Sequence, residues 1–196
     1  LERGGRIIEL HEGQFTLDTW NVTPKGKEFI YHYPSGITSS DEKQLGYQPA
    51  KNFKLKKNGV KYTYYEGSFK SLEEVKTKGE KVAQGTMPYF TIDEAPAKDH
   101  YAYDFQSWIN IPETAVYRFF INSDDGARLY IDGKLLIDND GSHSAARKGA
   151  KIALNKGFHE IKIEYFEDYM GQELKVRILS KNMPEQLVPA SMLFTK

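Results

Sequence analysis

A period of two in apolar residues is the feature that most constrains this chain. In residues 114–122 (TAVYRFFIN) the odd-numbered side chains Ala, Tyr, Phe and Ile fall on one face of an extended chain, because successive side chains of a strand point to opposite faces. Similar segments follow at residues 128–131, 134–137, 151–154, 158–166 and 173–179. This even spacing predicts an all-β fold, an antiparallel β-sandwich.

Short loops and one helix complete this prediction. Gly126 and Gly133 each follow an aspartate, and Asp-Gly pairs between apolar runs are typical of tight turns. One short helix is predicted after Ser71, with Ser71 as N-cap, Glu74 at the third position and Gly79 at the end.

The first 57 residues differ in character. They contain three short strand-like segments at 6–10, 14–20 and 28–33, with a turn at 24–26. Residues 34–49 are rich in Ser, Gly and Pro and predict a linker, and the basic residues 51–57 predict a solvated connection. We therefore divide the chain into an N-terminal β arm, 1–57, and a sandwich, 58–196. We expect the arm to dock on the sandwich or to end an upstream domain, and the start without Met suggests a processed or excised chain.

Composition excludes several classes of partner. Lys plus Arg and Asp plus Glu both number 27, so no global field attracts nucleic acid or an anionic membrane. No apolar run is long enough for membrane insertion, and the absence of Cys excludes disulfides and thiolate chemistry. The 13 Tyr, 11 Phe and 2 Trp suit strands and stacking on sugars.

Catalytic motifs are absent from the sequence. It has no Gly-x-Ser-x-Gly elbow, no His-Glu-x-x-His and no phosphate-binding loop, and the five His are scattered. Glu164 and Glu167 are candidate carboxylates, but a glycosidase needs two that face each other, and Glu164 is expected to point to solvent. The chain is therefore predicted not to be an enzyme by itself.

A calcium site is the better candidate. Ca²⁺ prefers six to eight oxygen ligands from carboxylates, amide carbonyls and backbone on loops. Asp124 and Asp125 end one predicted strand, and Asn139 and Asp140 lie on a second loop. The alternative is that the aspartate pair is only the polar corner of a hairpin.

Residues 58–196 resemble the domain family named after the anthrax protective antigen, a lectin-like β-sandwich. The resemblance rests on VKYTYYEG at 60–67, YDFQSWINIP at 103–112, SDDGARLYIDG at 123–133, DNDG at 138–141, GFHEI at 157–161 and VPASMLF at 188–194. The matches occur in order and cover about 70 per cent of the chain, from residue 58 onward.

The resemblance implies roles for particular residues. In sugar-binding members, adjacent aspartates joined by a cis peptide hold Ca²⁺, which coordinates glycan hydroxyls; here these are Asp124 and Asp125. Further ligands would come from Asn139 and Asp140 or from the loop 168–171. That loop, Asp-Tyr-Met-Gly, departs from the Gly-Gly of many members, so Tyr169 either stacks on a sugar or fills its place. His143 is a candidate lining residue.

The sequence thus predicts a secreted, periplasmic or cell-surface bacterial module that binds a glycan or polysaccharide with calcium. An upstream catalytic domain in the same chain would use it. The first 57 residues weakly resemble the tail of a secreted calcineurin-like metallophosphoesterase, and a glycoside hydrolase is the competing parent. The main rival is a structural or protein-interaction appendage that binds no sugar.

Overall fold

The computed structural model describes residues 21–23, 26–28 and 36–196. Its strands are β1 (Asn21–Thr23), β2 (Gly26–Glu28), β3 (Lys57–Asn58), β4 (Val60–Glu66), β5 (Glu80–Met87), β6 (Tyr101–Ile111), β7 (Ala115–Asp124), β8 (Ala127–Ile131), β9 (Lys134–Asn139), β10 (Ala146–Leu154), β11 (Gly157–Glu167), β12 (Glu173–Ser180), β13 (Gln186–Leu187) and β14 (Leu193–Thr195). Two helices, α1 (Ser39–Gln44) and α2 (Leu72–Lys78), join them. Within these residues, neither helix has the length and apolarity needed to cross a bilayer.

Among the described residues, β1 pairs with β2 as a separate hairpin, and the strands from β3 onward form two antiparallel sheets, so the predicted fold class is confirmed. The smaller sheet has the order β10-β7-β12-β13. In the larger sheet, β3-β14-β6-β11-β8-β9 form one path, and β4 joins β6 and carries β5 at the edge. β7 belongs to the smaller sheet and β8 to the larger one, so the chain crosses between the sheets at the turn after Asp124.

The core lies between the two sheets. From β7 it takes Tyr117, Phe119 and Ile121, the face that the period of two predicts, and all three are fully buried. Ile161 and Ile163 of β11 meet them from the larger sheet. Burial of such side chains contributes about 1.5–3 kcal/mol each.

The outer face of the smaller sheet is covered as well. Val116 and Phe120 of β7 are buried against Ile37. The covering segment was predicted to be a linker, but it contains helix α1. The Thr38 hydroxyl caps this helix by accepting from the Asp41 N–H, and the Asp41 carboxylate accepts in turn from the Thr38 N–H at 2.6 Å, which forms a capping box.

Two other sequence-based expectations have clear outcomes. α2 begins after Ser71 and ends at Gly79, as predicted. Glu164 was expected to point to solvent, but it is only 5% exposed because α2 covers this part of the larger sheet. Of the predicted N-terminal strands, 6–10 and 14–20 lie outside the described residues, and only Glu28 of 28–33 lies within them.

Candidate functional site

Three carboxylates meet where the chain passes from one sheet to the other. Asp124 ends β7 of the smaller sheet, Asp125 follows it, and Glu167 ends β11 of the larger sheet. One oxygen from each of the three lies within 4.8 Å of the others. The peptide bond between Asp124 and Asp125 is cis. We call these three residues the acidic cluster.

Hydrogen bonds from two loops fix the aspartates. The Asp125 carboxylate accepts from the backbone N–H of His143 at 2.7 Å and of Asp168 at 2.8 Å, and from the Ser142 hydroxyl at 3.1 Å. The Asp124 Oδ2 atom accepts from the Ala145 N–H at 2.9 Å. The loops 142–145 and 168–171 are therefore positioned by the aspartates.

Glu167 is the most enclosed member of the acidic cluster. Its side chain has no solvent exposure, and its Oε1 atom has no hydrogen-bond partner. Its Oε2 atom lies 3.2 Å from the Tyr165 hydroxyl, which donates its single hydrogen to the Asp124 carbonyl at 2.6 Å. Burial and the negative charge of Asp125 raise the pKa of Glu167 to about 8. Burial, together with the charge of Asp125, also raises the pKa of Asp124.

The acidic cluster lacks a direct ion-pair partner among the described residues. In the part of the chain that the structure describes, no Lys, Arg or His forms an ion pair with these three carboxylates. The nearby Lys70 pairs instead with Asp168. Although burial raises the pKa of Asp168, hydrogen bonds from Lys70 and Ser142 outweigh it and leave that pKa below its ordinary value. An acidic group of this kind is a possible site for a metal ion.

The other predicted site residues occupy different environments. Asn139 is buried beside the cluster loops; its amide donates to the Ser123 hydroxyl at 2.8 Å, and its Oδ1 atom has no partner. Asp140 is turned away, because its carboxylate accepts from the Leu72 N–H at 2.9 Å and lies 3.0 Å from Arg128. Asp140 therefore anchors α2 rather than joining the acidic cluster.

His143 and Tyr169 flank the cluster differently from each other. The His143 ring nitrogens lie 2.9 and 3.0 Å from the carbonyl oxygens of Ser144 and Asn139, so the ring is engaged within its own loop. Tyr169 is 61% exposed, and its ring stacks on His100 with centroids 6.3 Å apart. Tyr169 thus presents an exposed aromatic surface at the rim of the acidic cluster.

Glu167 is the cluster member that sequence reasoning did not assign to the metal site. The signal was present in the period of two, because Ile161, Ile163, Tyr165 and Glu167 occupy one face of β11. A glutamate that continues an inward-facing apolar row is buried, and a buried carboxylate needs a partner.

Fold and site together define a β-sandwich domain with a candidate divalent-cation site at a crossing between its sheets. The PA14 domain model matches residues 56–188. The chain therefore belongs to the PA14 domain family.

Two relatives match this chain over only part of their own length. The anti-sigma-I factor RsgI3 of Acetivibrio thermocellus is 32% identical over 105 residues, which are 53% of this chain and 16% of that protein. A solved anti-sigma factor domain-containing protein matches with a TM-score of 0.61 and 26% identity, covering 71% of this chain and 49% of that one. The chain thus spans about half or less of the length of either relative.

A third neighbour is a single domain. The PA14 sugar-binding domain of an RTX adhesin has a TM-score of 0.58 at 15% identity, covering 72% of this chain and all of that one. At this identity the likeness supports the fold alone.

Proposed function

We propose that this chain is a non-catalytic module that binds carbohydrate through calcium. The observation that carries the proposal is the acidic cluster: three carboxylates held within 4.8 Å, with one buried oxygen atom left without a partner. Like charges at this distance repel each other, and a cation would remove the repulsion.

The donor set suits Ca²⁺. All the candidate ligand atoms are oxygens, from Asp124, Asp125 and Glu167, with the Asn139 Oδ1 atom as a further candidate. Ca²⁺ takes six to eight oxygens, so side chains alone leave positions for other ligands. Asp124 is only partly buried, and glycan hydroxyls would complete the shell on its side. Tyr169 would contact the sugar from the rim.

The ligand class is proposed by analogy with one domain of the same fold. The RTX adhesin domain of the same fold is described as sugar-binding. On this basis we propose a glycan or polysaccharide as partner, and a secreted, periplasmic or cell-surface location.

A second candidate concerns the parent protein. One relative is an anti-sigma factor and another is an anti-sigma factor domain-containing protein, which favours a regulatory protein over the hydrolase that the sequence suggested. In that case glycan binding would serve as a signal rather than to hold an enzyme near its substrate.

A polysaccharide screen in Ca²⁺ and in excess EDTA tests the proposal. The variant D124N/D125N removes two ligands, and D93N/E94Q makes the same charge change on an exposed turn. We expect binding to be lost in EDTA and in D124N/D125N but kept in D93N/E94Q. If no condition gives binding and Ca²⁺ leaves the thermal stability unchanged, the chain is a structural appendage.

A further inference from the structure

A concave surface lies on the outer face of the larger sheet, beside α2. A cavity of about 270 Å³ there is lined by Tyr65, Leu72, Val75, Lys76, Asp104 and Glu164, among others. A shallower cavity of about 450 Å³ lies on Lys61, Thr63, Gln84 and Gln106 and also touches Asp104. Because Asp104 borders both cavities, we call them together the Asp104 groove.

The register of the strands builds this groove. Thr63 of β4 lies opposite Asp104 of β6, and Asp104 lies opposite Glu164 of β11. Neighbouring strands are about 4.8 Å apart, so one row of outward-facing side chains crosses three strands. None of these residues belongs to the acidic cluster.

Charged groups in the deeper cavity are held in place. The Lys162 ammonium lies 2.9 Å from both Asp104 and Glu164, and Lys76 lies 3.4 Å from Glu164. Tyr130 donates a hydrogen bond to Glu164 at 2.9 Å. Lys162 has three N–H donors, and these contacts use two of them. The charged side chains are thus held in place, and Lys162 keeps one N–H donor outside these contacts.

The lining favours a neutral ligand rich in hydroxyl groups. Two lysines and two carboxylates line the deeper cavity, so neither an anion nor a cation is attracted by net charge. The deeper cavity contains both donors, Lys76 and Lys162, and acceptors, the carboxylates of Asp104 and Glu164. A hydroxyl group can pair with either, because it both donates and accepts. The half-buried Tyr65 lines the same cavity and suits the C–H face of a sugar ring.

We propose that the Asp104 groove is a second carbohydrate site, which binds neutral oligosaccharide without a metal ion. The proposal shares its ligand class with the proposed function but uses other residues. Evidence against one site therefore does not count against the other.

The test uses matched variants of the full chain. K76A/Q106A removes two exposed side chains of the groove. The control variant K78A/N110A removes an exposed lysine from α2 and an exposed asparagine from β6. Both residues lie outside the groove. Both variants should unfold at closely similar temperatures.

Binding of gluco-, xylo-, manno- and galacto-oligosaccharides is measured by calorimetry in excess EDTA. We expect EDTA-resistant binding that weakens about tenfold in K76A/Q106A, as loss of a hydrogen bond to a charged group predicts. K78A/N110A and D124N/D125N should keep it. Absence of any binding in EDTA, or equal binding by K76A/Q106A and K78A/N110A, would overturn the second site. Calcium-dependent binding, measured in parallel, reports on the first site alone.

Discussion

Glu167 is the member of the acidic cluster that is most costly to ionise. Its carboxyl is fully buried, its Oε1 atom has no partner, and Asp125 places a negative charge beside it. The Tyr165 hydroxyl gives its hydrogen to the Asp124 carbonyl, so a protonated Glu167 is the form that can donate back to Tyr165. Without a cation, the fold therefore favours a neutral Glu167.

This arrangement predicts a specific pH dependence of stability. The pKa of Glu167 is raised from 4.5 to about 8 in the folded protein. The folded state thus binds this proton more tightly than the unfolded state does. The stability that the proton contributes is fully present below pH 4.5 and is lost as the pH rises through 8. In EDTA we expect the melting temperature to fall across this window, and to fall less in E167Q. Equal slopes for both proteins would show that Glu167 does not titrate in this way.

Gly171 provides a test of the geometry around Asp124. It has φ +91°, and a Cβ atom there would lie 3.0 Å from the Asp124 Oδ2 atom. Gly133 has φ +76°, with open space around its Cβ position. G171A and G133A should each lose about 1 kcal/mol of stability, because side chains disfavour positive φ.

Only G171A should also weaken Ca²⁺ binding, by roughly tenfold, since displacing a metal-site residue costs about that much. Calorimetric titration of Ca²⁺ into both variants measures the difference. Equal Ca²⁺ affinities would mean that Asp124 tolerates the displacement or is not a ligand.

At the scale of elements, Asp140 fixes α2 to the loop that follows β9. Its carboxylate accepts from the Leu72 N–H and pairs with Arg128. We expect D140A to lose roughly 1–3 kcal/mol in chemical denaturation, and S71A, which loses only the cap, about 1 kcal/mol. Ca²⁺ affinity should be unchanged in both, and a drop in D140A alone would place Asp140 among the ligands.

The local sequence pattern predicted the strands and the helix α2, but it did not predict which distant residues pack against them. The period of two identified β7 and its core face, and Ser71 and Gly79 marked the ends of α2. The same pattern could not show that Phe120, on the opposite face, is also buried, because the covering residue Ile37 is distant in sequence. The role of Asp140 was missed for the same reason: its partner Leu72 is 68 residues away.

At the scale of the whole molecule, residues 36–57 connect the outer surfaces of both sheets. The Gln48 N–H donates to Ala153 of β10 in the smaller sheet, and the Lys51 N–H donates to Phe158 of β11 in the larger one. Phe53 then packs on Trp108, with ring centroids 4.6 Å apart. The segment before the boundary predicted at residue 57 therefore packs on one end of the sandwich.

Two chains of different length test the division at residue 57. A chain that begins at residue 36 keeps the burial of Ile37 and the packing of Phe53, whereas one that begins at residue 58 exposes the surfaces they cover. We expect the longer chain to be more stable by roughly 2–5 kcal/mol, the contribution of about two largely buried side chains. Urea unfolding of the two chains, with I37A/F53A in the longer one as a matched control, measures this difference. If both chains unfold at the same urea concentration, the sandwich is an independent unit from residue 58 and the segment before it adds only a connection.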